Sequence, residues 1–352
     1  MSTGISVVIS CYNGGASLPA TLARLKSQRR PGFPWEVIVV DHASTDDGAE
    51  MALSCWKEGP ADLRVFREPR SRARYPRERG LVEAKYDFVA LIDDDSWLAP
   101  DWLVLAYEIF KNDSALGAVA SICEPVFEVP VPDWFSEFHR AYGVLTEADL
   151  EQCEKPTEHL EGPGLCVRRQ AWTQLIQGGF RSLLNGRWGG RPPWSGDTEL
   201  TLAIRLAGWT LRVEPRMRLQ RRMSARDLRW GSFRRLRRRH EASQALLDAY
   251  STHSLAMSMS FKQRLGQLWW CQVGRSLLKL IRRPDAVLAA LISDGENRQE
   301  VIEVEKWFGR MLGMLRLRGK YRWARRHIRY APWRLRRREE YLRRPRESRA
   351  QS

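Results

Sequence analysis

Short unbroken apolar runs separated by amphipathic stretches pattern the first half of the chain. Ile5–Ser10 (ISVVIS) and Glu36–Val40 (EVIVV) are β-branched runs of strand length, and between them Leu18, Leu22 and Leu25 recur on one helical face. That is a βαβ unit. Gly14 and Gly15 follow the first run, Ser17 offers a cap, and Pro19 falls in the first helical turn, where a missing N–H costs nothing. Leu63–Phe66 predicts a third strand and Tyr86–Ile92 (YDFVALI) a fourth, buried by its apolarity. Beyond Pro100 the pattern predicts helices over Asp101–Lys111, Arg169–Ile176 and Asp197–Ala207, and strands at Gly117–Cys123, Gly164–Val167 and Trp209–Val213. The stretch carrying Pro125, Pro130 and Pro132 reads as loop, as does Arg181–Ser195 with its Gly, Arg, Trp and Pro. After residue 215 strand signals stop: residues 232–330 read as helices, with apolar and basic faces over Phe261–Ile281, and Arg334–Ser352 as a charged tail. Strands alternating with helices predict an α/β fold with a mostly parallel, doubly wound sheet, whose ligands bind at the carboxyl ends of the strands.

Composition adds boundaries. A chain of 352 residues, 43% hydrophobic and 28% charged, allows one large domain or two ordinary ones and excludes collagen-like, low-complexity and wholly disordered classes. No apolar run approaches the ~20 residues that span a bilayer, and Met1–Gly4 runs into a strand without a basic or apolar leader, so a cytoplasmic protein is expected. Six scattered cysteines without a CxxC pair read as reduced thiols. The net charge of +16 is unevenly placed: residues 1–215 hold 23 Lys and Arg against 30 Asp and Glu, residues 216–352 hold 35 against 12. Only nine of the 58 cations are lysine; arginine suits bidentate phosphate recognition, although a GC-rich genome would also favour it. The organisation expected is a catalytic domain over 1–250, a basic helical extension over 251–333 and a charged tail over 334–352.

The fourth strand ends in Asp93, Asp94 and Asp95. Like charges at contact distance raise one another's pKa and oppose folding, so a cation should offset them. A Mg²⁺ or Mn²⁺ ion held by one or two carboxylates, with diphosphate oxygens and water in its other positions, would do so. A lone Asp pair would more simply be an acidic turn or a helix cap; a triple Asp after an apolar strand is harder to read that way.

With these residues the chain resembles an inverting family 2 glycosyltransferase of the GT-A fold, on four motifs in that family's order and spacing. Val7–Gly14 (VVISCYNG) is similar to its first strand and Tyr-Asn turn, which implies that Tyr12 packs on the nucleobase. Ile38–Asp47 (IVVDHASTDD) is similar to its Val-Asp-Asp-x-Ser-x-Asp, implying Asp41 as a base or ribose contact, with His42 where a second Asp is common and Asp46 equally readable as a helix cap. Phe88–Trp102 (FVALIDDDSWLAPDW) matches the DxD strand; the resemblance implies Asp93 on the ribose side, Asp94 beside the donor, and Asp93 and Asp95 at a divalent metal, Mn or Mg. Ser195–Trp209 (SGDTELTLAIRLAGW) is similar to the segment that supplies the base for the acceptor hydroxyl, here Asp197, with Gly196 in place of a Glu. A carboxylate at a helix N-terminus is also a simple cap. Glu161–Trp172 resembles the Gly-x-Gly strand before the acceptor helix, where Gly162 and Gly164 would let backbone approach the donor sugar, and Tyr75–Gly80 stands at an Ala-Arg-Asn-x-Gly, which makes Arg77 a nucleotide or diphosphate contact. A weaker resemblance, over Phe33–Glu36, Ala99–Trp102 and Gly164–Arg169, is to cyanobacterial-type exopolysaccharide enzymes.

Many relatives place a histidine metal ligand after the last strand, where this chain has Leu219-Gln220-Arg221-Arg222-Met223. Either Gln220 or water completes a metal's coordination, or Arg221 and Arg222 neutralise the leaving diphosphate directly. The resemblance covers roughly residues 4–250 and implies sugar transfer from a nucleotide-diphosphate donor to a hydroxyl on a glycan or lipid-linked acceptor, with inversion. In the basic extension, Leu268-Trp269-Trp270, Leu277-Leu278 and Leu280-Ile281 alternate with Lys262, Arg264, Arg275, Lys279, Arg282 and Arg283, which suits either an anionic membrane surface on the cytoplasmic side or packing on the catalytic domain. The rival readings are a polyanion-binding protein, which leaves the triple aspartate unexplained, a catalytically degenerate scaffold, and a nucleotidyltransferase, which would carry a basic Gly-rich loop where Cys11–Leu18 has no cation. No nucleic-acid partner is expected.

Overall fold

In the computed structural model β1 (Ser2–Cys11), α1 (Leu18–Lys26) and β2 (Trp35–Asp41) form the expected βαβ unit, and α2 (Gly48–Cys55) leads to β3 (Asp62–Arg67). The structure describes residues 2–69, 74–145, 149, 158–184, 196–254, 265–292 and 296–335. A helix, α3 (Arg74–Glu83), carries the motif around Arg77 into β4 (Tyr86–Asp93), and Asp94 and Asp95 turn directly into a three-residue strand, β5 (Ser96–Leu98). Then follow α4 (Trp102–Asn112), β6 (Leu116–Phe127), α5 (Phe135–Phe138), β7 (Leu165–Arg168), α6 (Arg169–Gln177), α7 (Gly196–Leu206) and β8 (Thr210–Met223).

All eight strands join one sheet in the order β3-β2-β1-β4-β7-β6-β8-β5. The first four are parallel; β7 runs antiparallel to both β4 and β6, β8 parallel to β6, and β5 antiparallel to β8. The α/β class expected from the sequence is the one observed. Two strands are longer than their apolar runs implied. Strand β6 continues through Pro125, where the loop was expected, because β7 pairs only with Ala118–Ala120 and leaves the far half of β6 with β8 as its one neighbour; a proline is tolerated on such an edge. Strand β8 continues past Val213 to Met223, absorbing Pro215 in an irregularity where Glu214 pairs with Ser121 and Arg218 with the next residue, Ile122.

Helices cover both faces of the sheet. On one, Leu22 of α1 and Trp102 and Phe110 of α4 pack with Ile5, Val7 and Val37. On the other, Val8, Ile38 and Leu91 share a core with Leu81 of α3, Trp172 of α6 and Ile204 of α7. Residues of the C-terminal helices join that second core: Leu246 and Tyr250 of α8 (Trp230–Ser254), and Met314 and Tyr321 of a 29-residue helix over Gln299–His327. Between these lie α9 (Trp269–Ile281) and α10 (Pro284–Ile292), which makes the long helix α11. Close approach of α11 to α8 is permitted by Gly309 and Gly313, where a Cβ would lie 2.2 Å from the Arg238 carbonyl oxygen and 2.8 Å from Ala242. Buried Glu305 of α11 pairs there with Arg234 and Arg238 of α8. Of the helix expected over Phe261–Ile281, residues 261–264 lie outside the described residues, as do most of Arg181–Ser195 and residues 336–352 of the tail. Among the described residues no helix is long and apolar enough to cross a membrane, and the five described cysteines are unpaired.

One buried charge holds the parallel half of the sheet. Glu36 of β2 accepts from Ser6 Oγ (2.7 Å), Lys85 N (2.8 Å) and Arg64 Nη2 (2.8 Å). Removing the guanidinium by Arg64→Met leaves that carboxylate buried and unpaired, and is expected to cost about 2–4 kcal/mol in urea unfolding. Lys85→Met, which removes a half-exposed ammonium 3.9 Å away, is expected to cost about 0.5 kcal/mol or less.

Candidate active site

The carboxyl ends of β1 and β2 are adjacent, with Cys11 opposite Asp41, and the loops that leave them are tied together. Asn13, held at φ 51°, donates its backbone N–H to Ser44 Oγ (2.9 Å) and accepts from Thr45 N through Oδ1 (2.9 Å), and Gly15 N donates to Asp46 Oδ2 (2.9 Å). Asp46 also accepts from Gly48 N (3.3 Å) at the start of α2, so it serves the helix end and the facing loop together. The tie leaves Tyr12 half exposed, its ring 5.0 Å from that of His42, whose backbone N–H donates to Cys11 O. Asp41 is buried, and its Oδ1 has no hydrogen-bond partner. An orphaned buried carboxylate oxygen is costly.

The three aspartates face different ways. Asp93, last in β4, accepts from Arg77 Nη2 (2.9 Å), and the other arm of the same guanidinium, Nη1, donates to Asp197 in the first turn of α7. Burial works to raise the Asp93 carboxyl, but Arg77 and then Arg221 overcome it and hold it below the ordinary range. Asp95 accepts from Arg221 Nε (3.3 Å); burial, helped by the charge of Asp93, still leaves it raised against the pull of Arg221. Asp94 turns away, under the first loop: it accepts from the Tyr12 backbone N–H, and a Cβ on Gly14 would lie 2.3 Å from its Oδ2. Burial, then Asp95 and Asp93, push Asp94 up to about 7. Negative charge therefore remains in excess around the turn although two arginines are already present.

Strand alternation sends the residues of the last strand to different faces. Ser96 pairs with Arg221 and Trp97 with Gln220, so successive β8 side chains leave opposite faces. Arg221 reaches Asp95, Gln220 is exposed, and Arg222 pairs with Glu128. Of the side chains considered for a metal or diphosphate in this stretch, that of Arg221 meets the acidic turn, while Arg222 touches it through its backbone N–H, donated to Asp95 O (3.1 Å). Met217, Leu219 and Met223, alternating with Arg218, Gln220 and Arg222, were the period-two signal that could have extended the strand from sequence.

Gly162 and Gly164 take φ of +98° and +74°, and both are pressed by protein: a Cβ would lie 3.2 Å from Gly143 O at the first, and 2.2 Å from Leu219 Cδ2 and Ser121 Oγ at the second. They seat the entry to β7 on β6 and β8. Glu199, which the sequence did not single out, anchors α7 two residues after Asp197. Fully buried, it accepts from Ser182 Oγ, from Leu183 N and from Tyr250 Oη (2.8 Å) on α8. Its signal was an acidic residue on an otherwise apolar helix face. Beyond Arg221 opens a cleft of about 390 Å³, lined by Tyr142, Asp227 and four arginines, Arg221, Arg226, Arg235 and Arg239. Ser195 of the acceptor motif lies outside the described residues.

As ligands for a hard cation, Asp93 and Asp95 are the available pair; among the described residues no third His, Cys, Asp or Glu completes a cluster. The donor set fits an ion that takes its other positions from diphosphate and water, and the raised carboxyl of Asp95 fits a cation there.

Residues 6–174, just under half of the chain and running from β1 into α6, match the sequence model of glycosyl transferase family 2. Within that segment lie the parallel β3-β2-β1-β4 half of the sheet and the acidic turn that joins β4 to β5. Members of this family generally use a divalent metal. The chain is 35% identical over 102 residues to hyaluronan synthase of Pasteurella multocida, covering 28% of this chain and 10% of that one. It is 29% identical over 119 residues to poly-beta-1,6-N-acetyl-D-glucosamine synthase of Staphylococcus aureus strain COL, covering 33% and 27%. The chain thus spans about a tenth and about a quarter of the length of these curated relatives. Among solved structures, S. aureus TarS 1–349 in complex with UDP aligns over 90% of this chain and 92% of that one, at 15% identity and a TM-score of 0.47.

The state of Asp94 has a measurable sign. Its folded pKa of about 7 lies above the ordinary 3.8, so the folded protein holds a proton that the unfolded chain has released, and stability falls as pH rises from about 4 to 7. In EDTA, Asp94→Asn is expected to melt higher than the parent at pH 8, by on the order of a few kcal/mol, and to lose that advantage at pH 4. A gap that did not change with pH would show Asp94 ionised throughout.

Proposed function

We propose that this protein is an inverting glycosyltransferase that moves a sugar from a nucleotide-diphosphate donor to a hydroxyl group of a glycan or lipid-linked acceptor, in polysaccharide or glycolipid synthesis. The observation that carries this reading is the Arg77 guanidinium, which touches both Asp93 on the donor side and Asp197 on the acceptor helix. One planar group spans the two carboxylates, so an acceptor hydroxyl at Asp197 would lie within reach of a sugar carried by a diphosphate at the acidic turn.

In this reading Tyr12 stacks on the base and Asp41 accepts from it or from the ribose. Asp93 and Asp95 would hold a divalent ion, Mn²⁺ or Mg²⁺, which supplies charge neutralisation at the diphosphate when bound. Arg221, kept protonated by Asp95 and Asp93 against its burial, is a second counter-charge for the leaving group. Asp197 takes the proton from the acceptor hydroxyl, whose oxygen bonds to the anomeric carbon as the bond from that carbon to the diphosphate oxygen breaks. Attack from the face opposite the leaving group inverts the centre. The arginine-lined cleft beyond Arg221 suits the anionic part of a substrate. The reaction belongs where nucleotide sugars are available, in the cytoplasm or on the cytoplasmic face of a membrane, with an anionic lipid surface as a partner open to the basic C-terminal helices.

The test is release of nucleoside diphosphate from UDP-, GDP- and dTDP-sugars in Mn²⁺, Mg²⁺ or EDTA. One donor class should turn over, and Asp197→Asn should lower kcat by about 10²–10⁴-fold while donor still raises the Tm of the variant. Asp95→Ala should abolish the metal-dependent part. Release that survives EDTA but falls in Arg221→Ala would place the diphosphate's counter-charge on Arg221. If no donor turns over and none raises the Tm, the chain is a non-catalytic scaffold and the reading fails.

A further inference from the structure

Helix α9 is docked through a mixed side, with Trp269 and Val273 against the core and two polar residues between helices. Gln272 and Ser276 are its buried residues, and Gln272 is held from α11, with Nε2 donating to Tyr321 Oη (3.0 Å) and Oε1 accepting from Arg310 Nη2 (3.1 Å). At about 100° per residue, Trp270, Leu277, Leu278 and Ile281 fall within about 100° of one another on the opposite side. All four are exposed, Trp270 at 55% and Ile281 at 65%. In α10 the arrangement repeats: Ala286 is buried, while Leu288, Leu291 and Ile292, spaced i, i+3, i+4, are exposed at 56%, 79% and 75%. The Gln272 hydrogen bonds fix the side of α9 that faces inward and Ala286 that of α10, so seven large apolar groups face solvent, which a soluble surface rarely sustains without an occupant.

The charge beside this face says what the occupant is. Residues 265–292 contain Arg275, Lys279, Arg282 and Arg283 against a single acid, Asp285, and all four cations are exposed. By the same helical geometry Arg275, Arg282 and Lys279 lie together in the sector next to the apolar strip of α9, and Arg282 and Arg283 fill the junction to α10. A second protein copy would bring the same excess of cations to the interface and repel it. An acyl layer bordered by anionic headgroups matches both stripes, and Trp270 suits the boundary between them. At 13 and 9 residues the helices can lie in such a surface and cannot span it.

We propose that α9 and α10 form an interfacial surface that docks this protein on an anionic lipid bilayer, with Trp270, Ile281, Leu288, Leu291 and Ile292 entering the acyl boundary and Arg275, Arg282 and Arg283 at the headgroups. None of these residues belongs to the acidic turn or to the cleft, and vesicle binding requires no donor turnover, so this inference and the transferase reading stand or fall separately.

The experiment is co-sedimentation of the full chain with extruded vesicles of phosphatidylcholine alone or with 30% phosphatidylglycerol, at about 0.1 M and 0.5 M salt, beside size-exclusion chromatography with light scattering. Binding to the anionic vesicles more than tenfold tighter than to the neutral ones, and weaker at high salt, is expected. Ile281→Glu/Leu291→Glu, two exposed positions whose replacement should leave the melting temperature and donor hydrolysis in solution unchanged, is expected to lose binding at least tenfold. Arg275→Gln/Arg282→Gln should lose the preference for anionic lipid while the apolar face is intact. Absence of binding to either vesicle, or undiminished binding by the Glu variant, overturns the proposal. So does a dimer in solution that the Glu variant dissociates without vesicle binding, which would assign the face to a second copy.

Discussion

The turn from β4 to β5 is the constraint around which the rest is arranged. Asp94 and Asp95 are all that separates two strands lying four places apart in the sheet order. The turn therefore cannot drift, and three carboxylates are held at the carboxyl end of a buried strand where solvent cannot fully screen them. Their mutual repulsion needs counter-charge, and the two arginines that supply it come from opposite halves of the molecule, Arg77 from α3 and Arg221 from β8. Each is kept charged against burial by the aspartates it meets. The site is thus electrostatically reciprocal, and it stays short of positive charge in a way that suits a divalent ion and a diphosphate arriving together.

The pieces around the turn divide the work of positioning. The loops after β1 and β2 are tied through Asn13, Ser44, Thr45 and Asp46, and Asp94 supports the first of them from beneath, which leaves the Tyr12 ring half exposed. On the other side, Asp197 owes its place to Glu199. The Glu199 carboxylate, buried against Ser182, Leu183 and Tyr250, locks the first turn of α7 to the preceding chain and to α8. Through α8, helix α7 is connected to α11, whose Met314 and Tyr321 lie in the same core as the sheet. The C-terminal helices are therefore part of what holds Asp197, besides carrying an apolar surface of their own.

Several expectations were corrected where local pattern and tertiary context compete. Pro125 reads as a strand breaker, yet β6 passes through it because its missing N–H falls where the strand has no second neighbour. The arginine-rich run after Val213 reads as the end of strand structure, yet its alternate residues Met217, Leu219 and Met223 are buried and the run is β8. Gly162 and Gly164 hold positive φ against protein atoms pressed on them, a packing role beside the donor contact expected of them.

Local pattern alone determined the βαβ start, the buried fourth strand with its three aspartates, the amphipathic helices and the uneven charge. These are legible because a parallel strand buried on both faces must be a continuous apolar run, and a helix must repeat its apolar face every three or four residues. The same is true of Asp93, Asp95 and Asp197 as candidates, since carboxylates at strand and helix ends stand out from their surroundings. Only the tertiary structure decided that Arg77 joins Asp93 to Asp197, that the side chain of Arg221 rather than that of Gln220 or Arg222 meets Asp95, that Asp94 turns beneath the loop, and which side of α9 faces inward. Each of these depends on which of two faces an element presents to partners many residues away. A periodic pattern specifies that two faces exist; the packing of the whole chain chooses between them.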